Sequence, residues 1–391
     1  MNDSLNKFAK LLDQNKLDGF IVTNPTNIFY LTGFRGISPT EREAILVIAN
    51  HKATLITARL YQNEAKLLAS AKLKIKIASE RNQIFEFVKN QLLPDKPGLG
   101  KFYKPGLKTR RIGFEQNDLT FGEYQEFKKF LSKPRLVPVK NLVENLRAVK
   151  STDEIKKIER AQIISQKAFE QILKTINVGQ TEQEIAEKLA QIIKSLGSQG
   201  LAFESIIASG PNSGKPHHFT SDRRLAIKDI LLLDFGAKFQ DYCADFSRTI
   251  FIGKASDRQR NIFNHVLKAQ KTAINKISHG SKSHEIHRTA SDFFKNQKLE
   301  KYFLHGLGHG IGLEVHENPH LRPAPTQTGF GKAQETRFEP KEEVLLEGMV
   351  FSVEPGLYFP WGGVRIEDLV VLQNGKARVL GKLTSGIIET G

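Results

Sequence analysis

Leu231-Leu-Leu-Asp234-Phe-Gly-Ala-Lys238-Phe-Gln-Asp241-Tyr-Cys-Ala-Asp245-Phe-Ser-Arg-Thr249 sets one aspartate at the end of an apolar strand and another a short hairpin later. A buried carboxylate without a partner is strongly destabilising, so something cationic must face it. If Ala237 pairs with Tyr242 across a loop of residues 238–241, the antiparallel register sets Asp234 directly opposite Asp245. Directly opposed residues share a face with Cβ atoms about 4.5–5.5 Å apart, and like charges so placed repel. A bound divalent cation turns that repulsion into ligation. The arithmetic repeats in Glu354-Pro-Gly-Leu-Tyr-Phe-Pro-Trp-Gly-Gly-Val-Arg-Ile-Glu367, where a hairpin closing around residues 359–362 opposes Glu354 to Glu367.

Between the hairpins lies His305-Gly-Leu-Gly-His309-Gly-Ile-Gly-Leu-Glu-Val-His316-Glu. Dense glycine lets backbone pass close to a neighbour, and imidazole is the commonest metal ligand. Glycine at every second position is not the dinucleotide fingerprint, and no Gly-Lys-Ser/Thr ending makes it a phosphate loop. Four carboxylates and one imidazole suit a pair of hard or borderline divalent ions, which carboxylates can bridge at about 3.5–4 Å.

Working outward, Ser151-Thr-Asp-Glu154 is a capping box that opens a helix. The domain boundary is placed just before it, giving domains of residues 1–149 and 150–391. The first alternates helix-like and strand-like stretches, an α/β pattern: residues 5–12 form an amphipathic helix, and 19–22, 44–49, 53–56 and 111–114 form strands. Pro94, Pro97, Gly98, Gly100, Pro105 and Gly106 mark a loop. In the second, helices over 152–176 and 182–196 precede strands to Ile252, and helices over 257–277 and 283–298 precede strands to the end. That recurrence suggests a duplication with a site between the halves.

A length of 391 residues fits two domains rather than one core, and 39% hydrophobic with 26% charged residues is the composition of a folded enzyme. The single cysteine, Cys243, allows no internal disulfide. Packing is its expected role, with thiol-sensitive metal loading the alternative. No signal-like or membrane-length apolar stretch is found, so a cytoplasmic location and no membrane partner are expected. Of the net charge of +16, residues 1–150 carry +12, scattered rather than interleaved with aromatics. A solvated basic surface is expected, not nucleic-acid binding.

These residues carry a resemblance. Leu233-Asp-Phe-Gly-Ala, Tyr242-Cys-Ala-Asp-Phe-Ser-Arg-Thr249, Gly308-His-Gly-Ile-Gly-Leu-Glu-Val-His-Glu317, Gly348-Met-Val-Phe-Ser-Val-Glu-Pro-Gly356 and Gly363-Val-Arg-Ile-Glu-Asp368 occur in the order found in the pita-bread metallopeptidases, which include methionine aminopeptidase, aminopeptidase P and prolidase. Asn27-Ile-Phe-Tyr-Leu-Thr-Gly-Phe34 resembles the creatinase-like N-terminal domain of the proline-specific branch. The resemblance implies a mixed α/β (α+β) pita-bread catalytic fold with pseudo-two-fold halves behind a smaller α/β domain. It implies that Asp234 chelates one metal, Asp245 and Glu367 bridge both, and His309 and Glu354 complete the second. His217 matches the substrate-side histidine and His316 the one contacting the scissile carbonyl; His218 is read as incidental. His305 and Arg365 are candidates for holding substrate or steadying a ligand carboxylate, with a surface salt bridge as the alternative for Arg365.

The implied activity is hydrolysis of an Xaa-Pro bond with two divalent ions, manganese first and cobalt, zinc or iron(II) as alternatives. Glu354 is the implied base, and His316 with His217 the oxyanion donors. Aminopeptidase is the first expectation and Xaa-Pro dipeptidase (prolidase) the second, with peptides carrying proline in second position as substrates and a homo-oligomer, a dimer, as the assembly. In archaeal-type prolidases an arginine follows the His-Glu-x-Pro stretch; here it is His320, with Arg322 two residues on. The connection 321–343 is long, read as a surface insertion with a lid as the alternative. A non-catalytic protein on the same fold, using its basic surface to bind nucleic acid or a protein partner, and metal-free creatine-type hydrolysis are competing readings, both opposed by the complete ligand set.

Overall fold

The computed structural model describes residues 2–35, 42–93, 110–132, 134–324, 343–381 and 386–390. The proline-glycine loop and most of the 321–343 connection lie outside the described residues. The chain divides into two compact units, the first ending at Arg147 and the second beginning at Ala148.

In the first unit a six-stranded mixed sheet runs in the order Leu73–Ala78, Lys52–Ala58, Ala44–Ala49, Gly19–Val22, Arg111–Glu115, Arg135–Val139. Period-two alternation sorts its side chains into two cores. Phe20, Val22, Leu46, Ile48 and Leu55 pack on one face with Phe8 and Leu12 of the first helix. Ile21, Ile45, Val47 and Ile56 pack on the other with Phe85, Val88 and Phe127. With both faces covered, the central strands are apolar throughout, the run that marks them as buried.

The second unit repeats one plan twice. Helices Thr152–Leu173 and Glu182–Ser195 precede a sheet in which Ile206–Ser209, Ile230–Phe235 and Phe246–Ile252 pair antiparallel. Helices Asp257–Lys276 and Ser283–Asn296 precede a five-stranded sheet containing Gly308–Gly310, Val350–Val353 and Asp368–Gln373. Capping boxes open three of these helices, from Ser151 to Glu154, Thr181 to Glu184 and Ser256 to Gln259. Each half also carries a two-stranded arm, Lys238–Phe239 with Tyr242–Cys243 and Gly356–Phe359 with Gly362–Arg365. Every acid singled out in the sequence sits where such an arm joins its sheet.

The second arm has the expected register. Phe359 pairs with Gly362 and Gly356 with Arg365, while beyond the acids Val353 pairs with Asp368, so Glu354 faces Glu367. The first arm differs. Tyr242 pairs with Phe239, not Ala237, and the connecting turn is only Gln240-Asp241, both at positive φ (46° and 71°). Asp234 therefore pairs with Ser247, and Asp245 lies diagonal to it. The offset is two residues, which preserves the face, so both aspartates still point the same way.

Candidate metal centre

Asp234, Asp245, His309 and Glu367 are each at most 9% exposed, and Glu354 is largely buried. Ligand atoms of Asp245, His309 and Glu367 all lie within 4.8 Å of one another. His309 Nε2 is 3.5 Å from Asp245 Oδ2 and 3.3 Å from Glu354 Oε1. Its Nδ1 donates to the Gly310 carbonyl at 3.1 Å, leaving Nε2 as the atom turned to the acids, the tautomer a ligand requires. The dense glycines are explained by the same strand. A Cβ on Gly308 would sit 2.0 Å from the Ser352 carbonyl oxygen, and one on Gly310 2.1 Å from that of Asn318.

Asp234 Oδ1, Asp245 Oδ1 and Glu367 Oε1 are buried without a hydrogen-bond partner. Buried polar atoms are otherwise almost always satisfied, so three orphaned carboxylate oxygens in one cluster fit a divalent cation. The electrostatics agree. Burial, then the charges of Glu367, Asp234 and Glu354, push Asp245 well above the usual carboxylate range. Burial, then Glu354 and Asp234, does the same to Glu367, and burial foremost pushes Glu354 up to about 7.

Arg365 is buried rather than a surface ion pair. Its guanidinium bonds Asp234, donates from Nε to Ser247 Oγ at 3.0 Å, and reaches Tyr358 Oη at 2.8 Å and the Pro216 carbonyl at 3.1 Å. Ser247 Oγ in turn donates to Glu367 Oε2 at 2.7 Å. One side chain thus orients acids from both halves. Behind them Arg248 pairs with Asp368 at 2.6 Å, and Gln270 donates to Asp368 and to the Val353 and Ile366 carbonyls.

His305 points to Tyr358 rather than to the acids. Its Nδ1 donates to the Gly306 carbonyl, so Nε2 accepts from Tyr358 Oη at 2.8 Å. Burial, then the Arg365 charge, pushes its pKa down to about 4. His316 lies beside His309 with 4.2 Å between ring centroids and the rings tilted by 55°, and burial foremost pushes its pKa down to about 4, a neutral ring at working pH. His217 is exposed, yet close enough to act electrostatically on His305, His316 and Glu354. His218 turns away from the acids, and its Nε2 donates to buried Glu182 at 2.8 Å. Cys243 is buried with its thiol pushed up to about 11, mainly by burial, as a packing residue would be. Tyr358, Glu182 and the Lys150–Glu317 ion pair were not singled out in the sequence, because none belongs to a spacing that declares itself. A cavity of about 360 Å³ in the first unit, lined among others by Arg42, Ile45 and Phe85, contains none of these residues.

Residues 156–374 match the model of metallopeptidase family M24, and residues 5–149 that of the creatinase/prolidase N-terminal domain. The chain is 33% identical to an Xaa-Pro dipeptidase of Pyrococcus furiosus over 381 residues, covering 97% of this chain and 98% of the relative. It superposes on an Xaa-Pro dipeptidase from Bacillus anthracis with a TM-score of 0.84 at 31% identity, covering 99% of each chain. An X-Pro aminopeptidase from Thermotoga maritima gives 0.80 at 28% identity, covering 98% of this chain and 99% of that one. The protein belongs to metallopeptidase family M24, with a creatinase/prolidase N-terminal domain and a pita-bread catalytic fold.

Proposed function

We propose that this metallopeptidase is an Xaa-Pro dipeptidase, cleaving dipeptides whose second residue is proline. The observation carrying the reading is the cluster of buried carboxylates around His309, three of whose oxygens lack any partner within the protein. Relatives named as Xaa-Pro dipeptidases, matched along nearly the whole chain, place the dipeptidase ahead of the aminopeptidase that the motifs put first. The aminopeptidase remains the second reading, because His320 stands where archaeal-type prolidases carry arginine and a structure named as an X-Pro aminopeptidase is nearly as similar. Arg322, exposed and close enough to depress the His320 pKa, is the proposed partner of the dipeptide carboxylate.

Asp234, Asp245, His309, Glu354 and Glu367 would hold two divalent ions, manganese in the first instance. When bound, such ions supply Lewis acidity and lower the pKa of water toward neutrality. Glu354 takes the proton of the attacking water and delivers it to the proline nitrogen, which must be protonated to leave; a positioned base of this kind contributes about 10²–10⁴-fold. His316, neutral and with an N–H to donate, meets the carbonyl oxygen as negative charge develops, and His217 supports it. Residues 1–149 and 150–391 are read as the two domains. A homodimer in the cytoplasm is the proposed setting; no helix among the described residues is long and apolar enough to cross a membrane.

The test is turnover of Xaa-Pro dipeptides against Xaa-Pro-Yaa tripeptides by manganese-restored protein. Preference for the dipeptide, reduced in Arg322→Ala, is expected. Preference for the tripeptide assigns the aminopeptidase, and cleavage of neither removes the peptidase reading.

A further inference from the structure

We propose that Glu182 and His218 are positioning residues for His217, acting as a hub that holds the 209–221 loop against the catalytic arm. The inference rests on the peptidase reading above and extends it to residues outside the ligand cluster. Glu182 is fully buried at the start of helix Glu182–Ser195, where a carboxylate also complements the helix dipole. Its Oε1 accepts from Ser209 N and Oγ, each at 2.7 Å, and from Asn212 Nδ2 at 3.1 Å. Its Oε2 accepts from His218 Nε2 at 2.8 Å, Ser221 N at 3.0 Å and Ser221 Oγ at 2.6 Å. Burial alone would push this carboxyl up, but the bonds from Ser221, Ser209, Asn212 and His218 hold it below its ordinary value.

These donors come from the start, middle and end of one segment, and the exposed His217 lies between them. The loop's other side is bolted to the arm carrying Tyr358 and Arg365. Gly363 N donates to Ser213 Oγ at 2.9 Å, and Arg365 Nη1 to the Pro216 carbonyl at 3.1 Å. A Cβ on Gly214 would lie 2.1 Å from the Phe359 carbonyl oxygen, so the two backbones are in direct contact. His217 therefore stands between two pinned neighbours: Pro216, tied to Arg365, and His218, tied to Glu182. A reacting group displaced by about 1 Å can lose about 10²-fold in rate, so fastening the neighbours of an exposed imidazole has kinetic value.

In the manganese-loaded full chain, His218→Ala is expected to lower kcat for an Xaa-Pro dipeptide by about tenfold or more, with bound manganese unchanged. His218→Gln, whose amide nitrogen can replace Nε2, restores most of it. In a His217→Ala background the same His218→Ala change has no further effect, because it acts only through the residue already removed. An equal loss in both backgrounds, or a loss of bound manganese, overturns the proposal. A second readout needs no turnover: in Glu182→Gln the Ser209 and Ser221 amides exchange hydrogen faster while those of strand Ile230–Phe235 do not. Unchanged exchange at both serines overturns the hub. Should the wild-type protein cleave no Xaa-Pro bond, the peptidase reading falls and exchange alone decides the hub.

Discussion

Lys150 and Glu317 form an ion pair at 3.1 Å with side chains only 1% and 3% exposed. The other Glu317 oxygen accepts from the Glu314 amide at 3.1 Å, next to His316. Removing one partner of a buried pair strands the other charge, so Lys150→Met is expected to destabilise by about 3–5 kcal/mol. The check is a lowered urea midpoint at unchanged slope, partly recovered by adding Glu317→Gln; an unmoved midpoint contradicts the assignment. Glu115 in the first unit makes a pH prediction. Burial, reinforced by the Glu144 charge, pushes it from 4.5 up to about 7 against bonds from Asn24, Asn27 and Thr23. A raised folded-state pKa means the native state binds the proton more tightly. Its stabilising contribution is complete below about pH 4.5 and is lost as pH rises through about 7. Glu115→Gln, which stays neutral, should flatten the fall of the denaturation midpoint across that window; parallel curves for the two proteins refute it. Neither Lys150 nor Glu115 is legible in sequence, since each takes its meaning from a partner distant along the chain.

At the scale of elements, the arms decide the chemistry. Both hairpins were legible because carboxylates closing apolar strands stand out. The first register was misplaced by two residues because a turn with Gln240 and Asp241 at positive φ lacks the glycine that usually announces it. The shared face survived, since strand side chains repeat every second residue. The 209–221 loop was the element least readable: its fastening relies on serines and a histidine that carry no periodicity. Gly214→Ala tests its seating. With Phe359 backbone 2.1 Å from the added methyl, loop and arm must separate, for a loss of about 1–3 kcal/mol. A lower melting temperature with reduced turnover and retained metal is expected; wild-type melting would mean the contact is loose.

For the whole molecule, the helix-helix-sheet recurrence was visible from capping boxes and strand order, and it recurs in the structure. Helix starts were placed closely because capping is local chemistry. What composition and spacing could not supply was the polar scaffold linking the halves, in which Arg365 joins Asp234 to Ser247 and Ser247 joins Glu367. That scaffold holds acids from two sheets at one point, and their closeness is tolerable only with added positive charge. The most direct measurement is therefore a count of manganese bound to dialysed protein, paired with turnover of an Xaa-Pro dipeptide before and after metal removal. The account predicts about two ions per chain, little binding in Asp245→Ala or Glu367→Ala, no turnover by stripped protein, and recovery when manganese is restored. Full activity in the stripped protein, or unchanged binding in both variants, would contradict it.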